Sequence, residues 1–371
     1  MNTVPFHYDY VGSFLRPEKL KQARKEYAEG TISALQLKEI EDACIIDLVS
    51  KLKDLGYHVI TDGEFRRSAW HLDFMWGFDG VSHKKTEKGL RFHDEAAMID
   101  DTFLTDRISL THEHPFVEHF RFIKALEDEN TIAKQTVPAP SQTLAQFWMP
   151  FNRRSTLPFY TDINTLVQDI VTAYTVVIKQ LYGAGCRNLQ LDDCTWGMLA
   201  DQSAPAMFGC KKDELIHVQN AHKDINNAVI ASIPDDMTVT THVCRGNYHS
   251  TYAHSGPYDS VADTLFAKEN VDAFYLEFDD ERSGGFAPLS KVKENQKVVL
   301  GLITSKSPRL ENKELVKKRI QQAAKYIPLD RLCLSPQCGF ASCEIGNILN
   351  EDQQWEKLKL IKEIAEEVWP D

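Results

Sequence analysis

The chain has 371 residues, with 42 Lys and Arg against 54 Asp and Glu and a formal charge of -12. That balance, with no basic block longer than a few residues, excludes an extended nucleic-acid or anionic-membrane surface and makes small molecules the expected partners. No stretch approaches about 18 uncharged apolar residues, and the start MNTVPFHYDYVGSFLRP lacks a basic-then-apolar leader, so a soluble, cytoplasmic protein is expected.

Taken in chain order, short β-rich runs fall at residues 10–15, 58–62, 131–138, 187–192, 238–244, 273–278, 297–303 and 332–336. Between most of them lie stretches with helical spacing of apolar residues, at 37–55, 163–182, 214–233, 260–268, 314–326 and 351–369. Eight strands alternating with helices predict one (β/α)8 TIM barrel domain over residues 1–371, with chemistry on the loops at the carboxyl ends of the strands. Residues 64–130 fit no simple strand–helix unit and are expected to be an insertion, a hairpin covering the barrel mouth. No repeat, low-complexity tract or Pro/Ser-rich linker marks a second domain.

Several predicted strands end on residues that carry chemistry. Thr241-His242-Val243-Cys244 places His242 and Cys244 two apart, on one face of a strand. Such a pair alone is more often structural, because metal sites are recognised by ligand count. Glu277 closes Tyr-Leu-Glu-Phe, where a buried carboxylate needs a charge partner or a metal, and Cys338 sits in a Pro-Gln-Cys-Gly turn after the last strand. Two thiolates, an imidazole and a carboxylate would give Zn2+ four ligands, and displacement of Glu277 by an incoming thiol would keep four-coordination. The other cysteines of the eight, Cys44, Cys186, Cys194, Cys210, Cys333 and Cys343, are expected to be reduced core residues.

Asp192 and Asp193 follow a buried run in Leu-Gln-Leu-Asp-Asp, and Glu64 follows a Gly turn in Thr-Asp-Gly-Glu-Phe. Asp62 and Asp193 suit helix capping, whereas Glu64 and Asp192 are candidates to hold an ammonium group. The Gly12-Ser13 turn offers backbone and hydroxyl to a carboxylate. No P-loop or dinucleotide fingerprint is present.

Together THVC, YLEF, GLITSKSPRL, IPLDRLCLSPQCGF, VGSFLRP and ITDGEFRR resemble the catalytic barrel of cobalamin-independent methionine synthases over nearly the whole chain. The resemblance implies zinc on His242, Cys244, Glu277 and Cys338, homocysteine contacts at Gly12, Ser13, Glu64 and Asp192, and methyl transfer from a methylated folate, the default donor. A methyl-carrier protein is a further partner it allows. Full-length family members carry a second, N-terminal barrel, and this chain has the length of the catalytic one alone. Lys306 stands where the family has a His before Ser-Pro-Arg, and LDDCTW replaces an LDEPA-like signature. The leaving group needs a proton donor, for which Lys306, Asp193 or an acid from residues 64–130 are candidates. Three other readings are alkyl transfer to a different thiol, as in epoxyalkane:coenzyme M transferases, a metal-free lyase resembling uroporphyrinogen decarboxylase, and a non-catalytic binding protein that senses a sulfur amino acid.

Overall fold

The computed structural model describes residues 4–370. Helices α1 (Glu18–Ala28) and α2 (Ala34–Asp54) lead into strand β1 (Val59–Ile60) and a helical turn α3 (Leu72–Met75). Four strands of an excursion follow, β2 (Asp79–Lys84), β3 (Leu90–Arg91), β4 (Ala96–Ala97) and β5 (Asp101–Ser109), and then α4 (Pro115–Lys124). The chain continues through β6 (Ile132–Ala133), β7 (Gln135–Pro138), α5 (Pro140–Trp148), α6 (Pro150–Thr156) and α7 (Ile163–Gly183). Next come β8 (Asn188–Asp192), α8 (Thr195–Ala200), α9 (Ala204–Phe208), α10 (Leu215–Ile230), β9 (Thr238–Val243), α11 (Leu265–Lys268) and β10 (Ala273–Glu277). The last elements are β11 (Lys297–Ile303), α12 (Lys313–Ala323), β12 (Leu332–Pro336) and α13 (Glu351–Val368).

The molecule is an α/β fold on a parallel sheet ordered β12-β11-β10-β9-β8-β7, with a second parallel pair, β1-β6. Continuous apolar runs such as Val-Val-Leu-Gly-Leu-Ile in β11 suit strands buried on both faces, and every residue of β8, β10 and β12 is buried. Strands β6 and β7 are one run interrupted at Lys134, whose N–H donates to Ile60 O (2.8 Å), so β1 continues the sheet beyond β7. At the opposite edge, Tyr8 bridges Leu334 in parallel, and Phe14 N–H donates to Gly63 O (3.0 Å) beside β1. Residues 10–15, expected as a strand, form none. The pairing falls earlier, at Tyr8, and Gly12 then turns over the sheet end so closely that a Cβ there would lie 2.7 Å from Thr136 Cγ2.

Helices pack outside the sheet through periodic apolar residues, for example Ile170, Val177 and Leu181 of α7 and Leu358, Ile361 and Ile364 of α13. Capping boxes at Ser33/Gln36 and Asn350/Gln353 start α2 and α13. Between the strands, Lys134 Nζ is sealed against Asp9 (3.1 Å) and Tyr10 O (2.6 Å), and Tyr275 donates to Asp9, so the buried ammonium is paired.

Within residues 64–130, β2 and β5 form an antiparallel hairpin with β3 and β4 nested at its tip. Gly80, at φ 82°, makes the bulge at its base, where a Cβ would lie 2.4 Å from Arg107 O. The excursion is shorter than the sequence predicts, because α4 is an ordinary packing helix with Pro115 in its first turn and Phe116, Val117, Phe120 and Ile123 buried. The helix expected over 260–268 shrinks to one 3-10 turn, Tyr258–Ser260, and α11. Among the described residues no helix is long and apolar enough to cross a membrane.

Candidate active site

A cavity of about 450 Å³ opens where β8, β9 and β12 end, with Glu64, Asp192, His242, Cys244 and Cys338 in its wall. The donor atoms of His242, Cys244 and Cys338 all lie within 4.8 Å of one another, and all three residues are buried. His242 Nδ1 is 3.2 Å from Tyr275 O, which fixes that nitrogen as the N–H and leaves Nε2, buried and without a hydrogen bond, as the free lone pair. The Cys244 thiol is held well above its ordinary range by its contact with Cys194 and then by burial, and Cys338 likewise by its contact with Cys244 and burial. Without a cation both remain thiols.

The structure brings three of the four expected zinc donors together. The fourth, Glu277, is fully buried; its Oε2 accepts from Arg245 N–H (2.8 Å) and its Oε1 lies 3.1 Å from the Arg282 guanidinium, and it is not among the three clustered donors.

The carboxylates of the same cavity are poised for a cation. Glu64 stands at φ 62°, a left-handed conformation that costs a side-chain-bearing residue about 1–3 kcal/mol and collects at functional sites. Its Oε1 accepts from Thr136 Oγ1 (3.0 Å) and faces Arg67 (3.3 Å), whereas Oε2 is buried without a hydrogen bond. Burial raises its pKa to about 7 against the pull of Arg67, with Asp192 adding to the rise. Asp192 accepts from Gln190 Nε2 (2.7 Å), and burial likewise raises it to about 7. Ser13 lines the cavity beside Gly339, where a Cβ would lie 1.9 Å from Ser13 Oγ, so the glycine after Cys338 lets the hydroxyl approach. Gly12 packs on Thr136 and Glu64 outside the lining.

Of the candidate proton donors, Asp193 and Lys306 are not in the cavity wall. Asp193 is fully buried and accepts from Ser141 Oγ (2.6 Å), Asn226 Nδ2 (2.9 Å) and both donors of Thr195, so it ties the start of α8 to α5 and α10. Lys306 lies beside Glu277, Asp279 and Cys338, whose charges outweigh burial and raise its pKa further, the wrong direction for giving up a proton at neutral pH.

Residues 158–366 match the family model described as cobalamin-independent synthase, catalytic domain. The chain belongs to this family. It is 43% identical to the uncharacterized protein YxjH of Bacillus subtilis over 99% of this chain and 95% of that one. A crystal structure of a putative vitamin-B12 independent methionine synthase from Listeria monocytogenes superposes over the full length of both chains, with TM-score 0.77 and 35% identity. A B12-independent methionine synthase from Shewanella sp. W3-18-1, in complex with selenomethionine, shares the fold at TM-score 0.72 and 17% identity, over 98% of this chain and 97% of that one.

Within this member of the cobalamin-independent synthase family, several polar cavity residues escaped the sequence reading as site residues, among them His71, Gln142 and Cys194. His71 Nδ1 and Gln142 Oε1 are buried without hydrogen bonds, and burial lowers the His71 pKa to about 3, so its ring is neutral. Cys194 Sγ sits 3.2 Å from Cys244 Sγ. Only Cys194 left a sequence signal, as the residue that breaks the LDEPA-like pattern.

Proposed function

We propose that this chain is a zinc-dependent methyltransferase that methylates the thiol of homocysteine, with a methylated folate as the default donor, on a single (β/α)8 barrel spanning residues 1–371. The barrel reading is supported by the hydrogen bonds that carry the six-stranded sheet through β6 to β1 at one edge and to residues 7–9 at the other. The observation that carries the function is one cavity holding both a buried His242-Cys244-Cys338 cluster and, beside it, the Glu64 carboxylate, whose Oε2 is buried without a hydrogen bond.

The donor set suits zinc: two sulfurs, and an imidazole whose other nitrogen is fixed by a carbonyl. When bound, the metal supplies the charge that turns a coordinated thiol into a thiolate at neutral pH. Glu64 and Asp192 bind the ammonium group of the amino acid, and Ser13 Oγ binds its carboxylate. With three protein donors and Glu277 retained by Arg245 and Arg282, one position stays open to the substrate thiol. His71 and Gln142 meet the donor as neutral hydrogen-bonding groups, and Leu90, Phe92 and Phe151 exclude water from the methyl group in flight.

The test is zinc analysis of the purified protein with X-ray absorption before and after homocysteine, alongside methionine formation from 5-methyltetrahydropteroylglutamate. One zinc per chain, one extra sulfur neighbour on adding homocysteine, and turnover are expected. Metal-free protein that still forms methionine would overturn the role given to zinc, and metal-free protein that forms none would overturn the reading in favour of the lyase-type alternative.

A further inference from the structure

We propose that Cys194 and Cys244 form an oxidative modification site, a peroxide-driven disulfide that withdraws one thiolate from the metal cluster. The inference rests in part on the metal reading above, because its consequence is loss of the metal.

Geometry selects the pair. The ladder of β8 and β9 ends with Asp192 opposite His242, and the two cysteines stand just beyond it, Cys194 at the N-cap of α8 and Cys244 directly after β9. The two sulfurs are already 3.2 Å apart. Gly197 holds α8 in place against this strand end, since a Cβ there would lie 2.1 Å from Cys244 O. Both thiols line the cavity, Cys194 half-buried and Cys244 buried, so a small oxidant reaches Cys194 first.

The chemistry balances with hydrogen peroxide as oxidant. The Cys194 sulfur attacks one peroxide oxygen, the O–O bond breaks, and Cys194 sulfenic acid and water form. The Cys244 sulfur then attacks the sulfenic sulfur, the S–S bond forms, and the hydroxyl leaves as a second water with the Cys244 proton. Two thiols are oxidised and one peroxide is reduced to two waters. Cellular thiols reverse the step by exchange, so it acts as a reversible brake on the metal site.

The experiment treats metal-free and zinc-loaded protein with a few equivalents of hydrogen peroxide, blocks residual thiols with N-ethylmaleimide and maps peptides without reduction. The expected result is a cross-link between the peptides of Cys194 and Cys244, a fall from eight free thiols to six, and reversal by dithiothreitol. In the zinc-loaded protein a chromogenic chelator should report zinc release at the rate of cross-linking, slowed at least about tenfold in Cys194→Ser and Cys194→Ala. A dominant Cys244–Cys338 cross-link, or sulfinic acid at Cys194 without a cross-link, overturns the proposal, and the wild-type map decides this if the variants do not fold. Cross-linking in a protein that never holds zinc would instead sink the metal reading and leave the disulfide standing.

Discussion

The floor and the lid of the cavity are built on opposite principles. The floor is made of strand ends in a parallel sheet, where ladder hydrogen bonds fix Asp192 and His242 and Cys244 follows directly after β9. The lid is the tip of an antiparallel hairpin, residues 90–99, latched by side chains and single backbone bonds onto the 246–254 loop. Met98 N–H donates to Tyr248 OH (3.3 Å), His93 N–H to Tyr252 O (2.8 Å), and Thr251 Oγ1 to Asp94 (3.0 Å). The three non-glycine residues of positive φ among those described divide the same way, Glu64 in the floor, His249 and Ser250 in the latch loop. The cavity floor is therefore tied into the sheet ladder, while the hairpin tip over it is tied by a few separate hydrogen bonds, the arrangement expected to open at lower cost.

The largest effect expected from breaking the floor is at the metal. Cys338→Ser should lose the zinc and more than about a hundredfold of activity, while Glu277→Gln should keep most of its zinc, because Arg245 and Arg282 hold that carboxylate off the cluster. Zinc loss in Glu277→Gln equal to that in Cys338→Ser, read by elemental analysis, would return Glu277 to the ligand set.

Next in size is the ammonium site. Asp192→Asn should weaken homocysteine binding by about 1.5–3 kcal/mol, the worth of a charge-assisted hydrogen bond, with zinc content unchanged. Isothermal titration on the zinc-loaded protein separates the two quantities, and loss of both together would move Asp192 to the metal.

The same pair sets a pH dependence. Glu64 and Asp192 are both raised to about 7 in the fold, from 4.5 and 3.8. The folded state therefore keeps protons that the unfolded state has released, so their contribution to stability is present at low pH and is lost as pH climbs from about 4 through 7. Ligand-free protein should lose thermal stability across that window more steeply than the Glu64→Gln/Asp192→Asn variant, and homocysteine should remove the difference by supplying the missing cation. Parallel melting curves for the two proteins would contradict the buried-carboxylate account.

How much of this could be read from the chain follows the same division. Strands β8 to β12 are near-continuous apolar runs between turn residues, so their positions were legible within a residue or two. Strand 10–15 was misplaced because a single bridge at Tyr8 leaves almost no periodic signal. The 64–130 region was unreadable as a unit because a two-faced hairpin is nested before a regular helix. Glu277 and Asp193 were assigned by position at strand ends; of the residues that hold them, Arg282 is close in sequence but Arg245, Ser141 and Asn226 are not. The contact of Cys194 with Cys244 depends on how the start of α8 packs against the end of β9, which one sequence does not disclose.

The smallest effect tests the lid alone. Tyr248→Phe removes the hydroxyl that accepts from Met98 N–H but keeps the ring that packs against Phe92 at 5.4 Å between centroids. One hydrogen bond of this kind contributes about 0.5–1.5 kcal/mol, so opening of residues 90–99 should become roughly two- to tenfold more frequent. Hydrogen exchange at those amides reads this directly. Because the floor is held by the sheet ladder and not by the latch, zinc content and homocysteine affinity should stay at wild-type values while the KM for the methyl donor rises. A variant in which exchange speeds up and homocysteine affinity falls with it would show that lid and floor move as one body, and the division between them would fail.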